Sequence, residues 1–180
     1  DIMDGKMPSG RVVVFDDDHF YMGGVIAELL ALRGAEVTLV TPSAFVSEWT
    51  RNTLEQAAIH KRLAETGVSI VLNRGMTEIG AGYVVTNCVF TGAMAQIGCD
   101  AVAMVASRLG RDGLWRNLKA RENEWTDAGI RSVKLIGDAD APGPIAWATY
   151  AGHRYARELD ADDIGDAMPF RRELAELARE

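Results

Sequence analysis

The sequence predicts an α/β fold: a doubly wound parallel sheet with helices on both faces and a small antiparallel ribbon. Three observations carry that expectation. Short β-branched runs, RVVVF at 11–15 and VTLV at 37–40, alternate with segments whose apolar residues recur at helical spacing. Glycines stand where those segments end, at Gly34 and Gly67. A glycine-punctuated stretch between residues 76 and 91, with strand-like YVV and CVF runs, interrupts the alternation.

Taken in order, Arg11 to Phe15 is a buried strand bounded by Gly10 and an acidic cluster. Met22, Val25, Ile26, Leu29 and Leu30 mark a helix that Gly34 closes. Val37 to Val40 is the next strand, and a right-handed crossover makes the two strands parallel. Residues 50–66 give a second helix with a weak apolar stripe (Leu54, Ala58, Ile59, Leu63), and 68–72 a third strand. Short antiparallel ribbons fit 76–91, and DAVAMV at 100–105 is another buried strand. A helix over 114–126, a strand over 133–136 and a helix over about 144–159 follow, with Pro144 at a first-turn position. A charged helix over 169–180 ends the chain.

Composition narrows the partners. Of 180 residues, 48% are hydrophobic, enough for a real core, and the formal net charge of −7 repels phosphate backbones and anionic lipid. No nucleic-acid or membrane partner is expected, and no apolar run reaches the roughly 20 residues of a span. Cys88 and Cys99 are too few for a disulfide scaffold and lack C-x-x-C spacing. They read as buried thiols of a cytoplasmic protein. The start, Asp-Ile-Met-Asp-Gly-Lys, has neither an initiator methionine at position 1 nor a signal-peptide pattern, and is expected of a piece of something longer.

The loop after the first strand carries the sharpest chemical information. A dinucleotide-binding unit runs from its first strand into G-x-G-x-x-G, because bare backbone must approach a pyrophosphate at a helix N-terminus. Here the strand runs into Asp16-Asp17-Asp18-His19-Phe20-Tyr21-Met22-Gly23. Carboxylates suit a helix N-terminus and can cap it, but they repel a phosphate and fill its place. Gly23 alone remains, for close helix–strand packing. The second strand ends in Thr41, where an acidic residue would bind ribose hydroxyls. Gly23 and Thr41 thus mark a degenerate NADH-type site. The loop reads first as a capped helix start, with a metal site on the aspartates or residual nucleotide binding as alternatives; no metal is expected.

A second signature stands late in the chain. SVKLIGDADA at 132–141 puts Gly137-Asp138 between a strand and a helix. The glycine lets the backbone turn near a cofactor, the aspartate accepts from ribityl or ribose hydroxyls, and the helix N-terminus faces a phosphate. A bare Gly-Asp after a strand is more often a turn. The continuation, Ala141-Pro142, Ile145-Ala146, Ala148 and Gly152-His153, sharpens it.

With those stretches in view, the chain resembles the family of trimethylamine, dimethylamine and histamine dehydrogenases and 2,4-dienoyl-CoA reductases. The matching runs are MDGK near the start, RVVVFDDDHFYMGGVIAELLALRGAEVTLVT, WTRNTLEQAAIHKRLAETGV and LWRNLKARENEWTDAGIRSVKLIGDADAPGPIAWATYAGHRYARE. The last is the most specific and points to the amine-dehydrogenase branch. The resemblance implies an oxidoreductase acting on CH-NH groups. Such an enzyme has an FMN barrel, a 4Fe-4S cluster and two nucleotide-binding-like domains, one holding ADP or FAD, and passes electrons to an electron-transferring flavoprotein. On that reading, residues 10–115 are a Rossmann unit of the NADH-domain type. Residues 116–180 are the returning segment of an FAD/ADP-type domain, with Gly137 and Asp138 in its site. The barrel and cluster are absent, so the chain holds no catalytic residue, is inactive alone, and carries no cofactor in isolation. Its partner is the rest of the parent polypeptide.

Other residues offer less. His19, His60 and His153 match no triad or metal spacing. Trp115, Trp125 and Trp147 read as core or interdomain packing, whereas Trp49, among Ser47, Glu48, Thr50 and Arg51, is the candidate exposed aromatic at a partner surface. Two other functions compete: the NAD(P)H- and FAD-binding portion of a dienoyl-CoA reductase-like enzyme, and a Rossmann-like protein-interaction module. The aspartate loop opposes the first.

Overall fold

The computed structural model describes residues 2–159. The chain divides into two compact units, Asp1–Ser107 and Arg108–Glu180.

The first unit is built on β1 (Arg11–Asp16), α1 (Tyr21–Leu32), β2 (Glu36–Val40), α2 (Gln56–Glu65), β3 (Ser69–Val71), β4 (Arg74–Gly80), β5 (Tyr83–Cys88), β6 (Met94–Gly98) and β7 (Ala101–Val105). A four-stranded parallel sheet has the order β3-β2-β1-β7, and β4-β5-β6 form a separate antiparallel sheet. β1 is central, so its five residues after Arg11 are all buried, as an uninterrupted apolar run requires. Alternate residues serve opposite faces. Val12 and Val14 pack with Ile26, Ala27 and Leu30 of α1 and with Leu63 of α2. Val13 and Phe15 pack with Val40, Val84 and Cys99, and Met76 and Ile97 close over them.

That second face differs from expectation. Both helices of this unit lie on one side, and the other side is covered by the antiparallel sheet. The crossover from β3 to β7 runs through three strands that bring their own apolar face, Met76, Val84 and Ile97, in place of a helix. The ribbon also extends beyond 76–91, to residues 74–98.

The helix expected over 50–66 begins only at Gln56. Before it, Glu48–Arg51 form a 3₁₀ turn, and Leu54 is left-handed (φ 63°) and 90% exposed. Val46, Ser47 and Thr50 are buried and anchor this segment, and the Thr50 hydroxyl donates to Ser47 O at 2.6 Å. Tertiary anchoring outweighs the helical pattern there.

In the second unit, α3 (Gly113–Lys119) stops short of the expected 114–126, and a 3₁₀ turn at Glu122–Glu124 follows. Trp125 turns back into this unit, buried, with its indole N–H donating to Leu118 O at 2.9 Å. Among the described residues, 133–136 belong to no strand, although Ile136 is extended (φ −141°, ψ 158°). α4 (Ile145–Arg157) starts after Pro144, which is its N-cap rather than its first helical residue, and buries none of its residues. The expected helix over 169–180 lies outside the described residues. No described helix is long and apolar enough to cross a membrane.

Candidate functional site

The C-terminal end of β1 delivers Asp16 into the protein. Its carboxylate is fully buried; Oδ1 accepts from the N–H groups of Asp18 (3.2 Å) and His19 (3.1 Å), and Oδ2 has no hydrogen-bond partner. Burial raises its pKa above the ordinary 3.8, and the two backbone donors oppose that. The carboxyl rests on Gly23 in the first turn of α1. A Cβ at position 23 would lie 2.4 Å from Asp16 Cγ, so the glycine exists to admit the aspartate. The three aspartates were expected to cap the helix. Instead Asp16 bonds residues ahead of it, and the N-cap is Phe20, which supplies no side-chain acceptor. Asp17 lies beside His19 (Oδ1 to Nε2 3.4 Å). Among the described residues, no cluster of three or more His, Cys, Asp or Glu side chains could hold a metal.

Thr41 is also fully buried. Its hydroxyl accepts from Ser43 N–H at 3.3 Å, and its backbone links to Val71 and Arg74. That leaves it bonded within the protein, not presented to a ribose. Beyond it, residues 46–55 fold against the start of α1. Trp49 N–H donates to His19 O at 3.1 Å, and the Trp49 ring stacks on Phe20 (centroids 6.0 Å, planes 13° apart). Tyr21 bonds Thr53 and Glu55. The outer side of Trp49 is half exposed and borders an open cleft of about 670 Å³ with His19, Glu48, Arg51 and Asn52. Arg51 lies over the Phe45 ring at 5.0 Å.

In the second unit, Gly137 is left-handed (φ 57°) and packs on Ala148 of α4, where a Cβ would sit 3.4 Å from Ala148 Cβ. Asp138 is exposed, and its Oδ1 accepts from Gly143 N–H at 3.3 Å, which ties the turn to the residues before α4. His153 is exposed on α4. A groove of about 570 Å³ runs along 133–136, with Trp115, Lys119, Asp140, Tyr150 and Arg154 on its walls. A turn of this form fits one side of a nucleotide site: a carboxylate for ribose hydroxyls beside a helix start. The loop at Asp16 offers a pyrophosphate no glycine-rich turn and sets a buried carboxyl against the first turn of α1.

Sequence reasoning expected two buried thiols, and one departs from that. Cys99 is buried, which pushes its pKa up. Cys88, only half-buried at the end of β5, has its pKa drawn down to about 7 by the Thr91 hydroxyl, then by the N–H groups of Phe90 and Thr91. No spacing rule marks such a turn. The Thr91-Gly92 pair just after the strand is its one trace in the sequence.

A four-stranded parallel sheet with a crossover helix on one face and a three-stranded antiparallel cover on the other defines a mixed α/β domain. The chain belongs to the family of OYE-like second alpha/beta domains, whose model matches residues 1–97. It is 32% identical over 193 residues to dimethylamine dehydrogenase from Hyphomicrobium sp. (strain x), covering 96% of this chain and 26% of that protein. The solved structure of histamine dehydrogenase from Rhizobium sp. 4-9 is 64% identical, with a TM-score of 0.87, over 99% of this chain and 28% of that one. The 6-hydroxypseudooxynicotine amine oxidase of Pseudomonas geniculata N1 is 39% identical, with a TM-score of 0.76, over 84% and 22%. The chain therefore spans about a quarter of the length of these relatives, and its homologues are amine-oxidising oxidoreductases.

Proposed function

We propose that this chain is the nucleotide-binding-like portion of a flavin-dependent amine dehydrogenase of the trimethylamine dehydrogenase type, and that it contributes structure and not catalysis. The 64% identity to histamine dehydrogenase across nearly the whole chain carries this reading. FMN and the 4Fe-4S cluster belong, on this reading, to the remainder of the parent, and electrons leave to an electron-transferring flavoprotein. Residues 10–115 are the NADH-type unit and 116–180 the returning part of an FAD/ADP-type domain. Gly137 and Asp138 would hold the ribose of ADP or FAD there, and a bound nucleotide would supply no chemistry of its own if it is ADP. The groove along 133–136 and the exposed residues of α4, Ile145, Trp147 and Tyr150, suit closure by a further segment of the parent.

Gly23 and Thr41 are then remnants of a dinucleotide site. An enzyme that delivers electrons to a protein needs no hydride donor. Titration of the 180-residue chain with NADH, ADP and FAD tests this. NADH affinity no better than millimolar and no stoichiometric flavin are expected. A micromolar NADH constant abolished by substituting Gly23 or Thr41 would instead support the dienoyl-CoA reductase-like alternative. Amine oxidation by the purified chain alone would overturn the non-catalytic reading.

A further inference from the structure

Five contacts converge on residues 19–24, at the start of α1, from one short segment. Trp49 N–H holds His19 O, the Trp49 ring stacks on Phe20, and the Tyr21 hydroxyl bonds Thr53 Oγ1 at 3.2 Å and Glu55. Ser47 lies against Gly24, where a Cβ would come within 3.4 Å of the serine Oγ. The segment is fixed from below, since Val46 belongs to the main core and Ser47 and Thr50 are buried. Its ends are bounded by left-handed, non-glycine residues, Ser47 (φ 49°) and Leu54 (φ 63°), and the residue it grips, His19, is left-handed too (φ 62°). Such backbone persists only where surrounding contacts enforce it.

From this geometry we infer that residues 46–55 are a built-in strap that closes the N-terminal end of α1, an autoinhibitory contact standing on the side from which a phosphate would approach. A helix start left open offers its unbonded N–H groups to an anion. Here the backbone and rings that precede those groups are taken by the strap. Charge removal at Asp16–Asp18 is then insufficient to restore anion binding, because the protein itself covers the place. This rests on the reading that the first unit is of the NADH-binding type.

The test compares three versions of the 180-residue chain by calorimetry with NADH and with inorganic pyrophosphate. The wild type is one. The second carries Asp16→Asn, Asp17→Asn and Asp18→Asn, and the third adds Phe20→Ala and Trp49→Ala. The strap requires that the charge variant bind no better than wild type and that the third version gain at least about tenfold. Equal gain in the charge variant, or none in the third, overturns the strap and leaves the wider reading standing. Binding of NADH by the wild type would overturn the wider reading. Hydrogen exchange guards against misfolding: in Phe20→Ala the Trp49 amide should exchange at least about tenfold faster while β1 amides stay protected. A Trp49 amide that already exchanges at loop rates in wild type also overturns the strap.

Discussion

Asp16 and Gly23 act as a pair, and each residue accounts for the other. Gly23→Ala forces a Cβ to within 2.4 Å of the Asp16 carboxyl carbon, so it should cost about 2 kcal/mol. Asp16→Gly should recover most of that in the double variant, a coupling that urea unfolding of the four-member cycle would read. Asp16 itself should set a pH dependence. Its folded pKa lies above the ordinary 3.8, so as pH rises from there the unfolded chain releases a proton that the folded chain still holds. Stability is therefore lost upward through that window, and the loss is complete once the folded group has ionised. In Asp16→Asn the drop in urea midpoint between about pH 4 and about pH 8 should shrink. An undiminished drop would assign it to other groups. Cys88 gives a separate residue-scale expectation: its alkylation by iodoacetamide should be half-maximal near pH 7, and Thr91→Val should move that upward by removing the first-ranked donor to the thiolate. Buried Cys99 should stay unmodified in the folded chain.

At the level of elements, the segment between β2 and α2 shows tertiary contacts overriding a helical pattern. Leu54 was expected in an apolar stripe. It is instead a left-handed residue in solvent, because Val46 and Thr50 take the buried positions and Trp49 docks on Phe20. An L-residue there carries a cost that glycine does not, partly offset by glycine's greater freedom when unfolded. Leu54→Gly should thus stabilise the chain by about 0.5 to 1 kcal/mol, seen as a higher melting temperature. A lower one would mean that the leucine side chain makes contacts that outweigh its backbone strain. The stretch 133–136 shows the converse: the pattern is strand-like, yet among the described residues it belongs to no strand and instead lines a groove with Tyr150 and Arg154 of α4.

Across the whole molecule, burial is unequally shared between the two units. Among the described residues, nearly all of the core comes from the first, while the second buries Trp125 and leaves Leu114, Ile145, Trp147 and Tyr150 exposed. Native-state hydrogen exchange should therefore find its slowest amides in β1, β2 and β7, with those of 113–157 exchanging at least about a hundredfold faster, since local stability follows buried contacts. Equal protection in both halves would mean that the second unit is as stable as the first despite its smaller described core. The same imbalance accords with a chain that covers about a quarter of each relative's length.

The parallel sheet, its first crossover and the antiparallel interruption were legible in the sequence because they depend on local periodicity: β-branched runs at 11–15 and 37–40, helical spacing from Met22 to Leu30, and left-handed glycines at 34 and 67. The absence of a G-x-G-x-x-G pattern after β1 was legible for the same reason, as residue types at fixed offsets from a strand. What the aspartates do was not. That Asp16 turns inward onto Gly23 and that Phe20 and not an aspartate is the N-cap are local placements that residue type alone leaves open, and the contact of residues 46–55 with the helix start joins residues such as Tyr21 and Thr53, 32 apart in sequence. The second face of the sheet was settled the same way, by three strands whose apolar side faces Val13 and Phe15 where a helix was expected. Periodicity states which side of an element is apolar; only the folded chain decides what covers it, because that choice is made by packing between distant segments and not by neighbours in sequence.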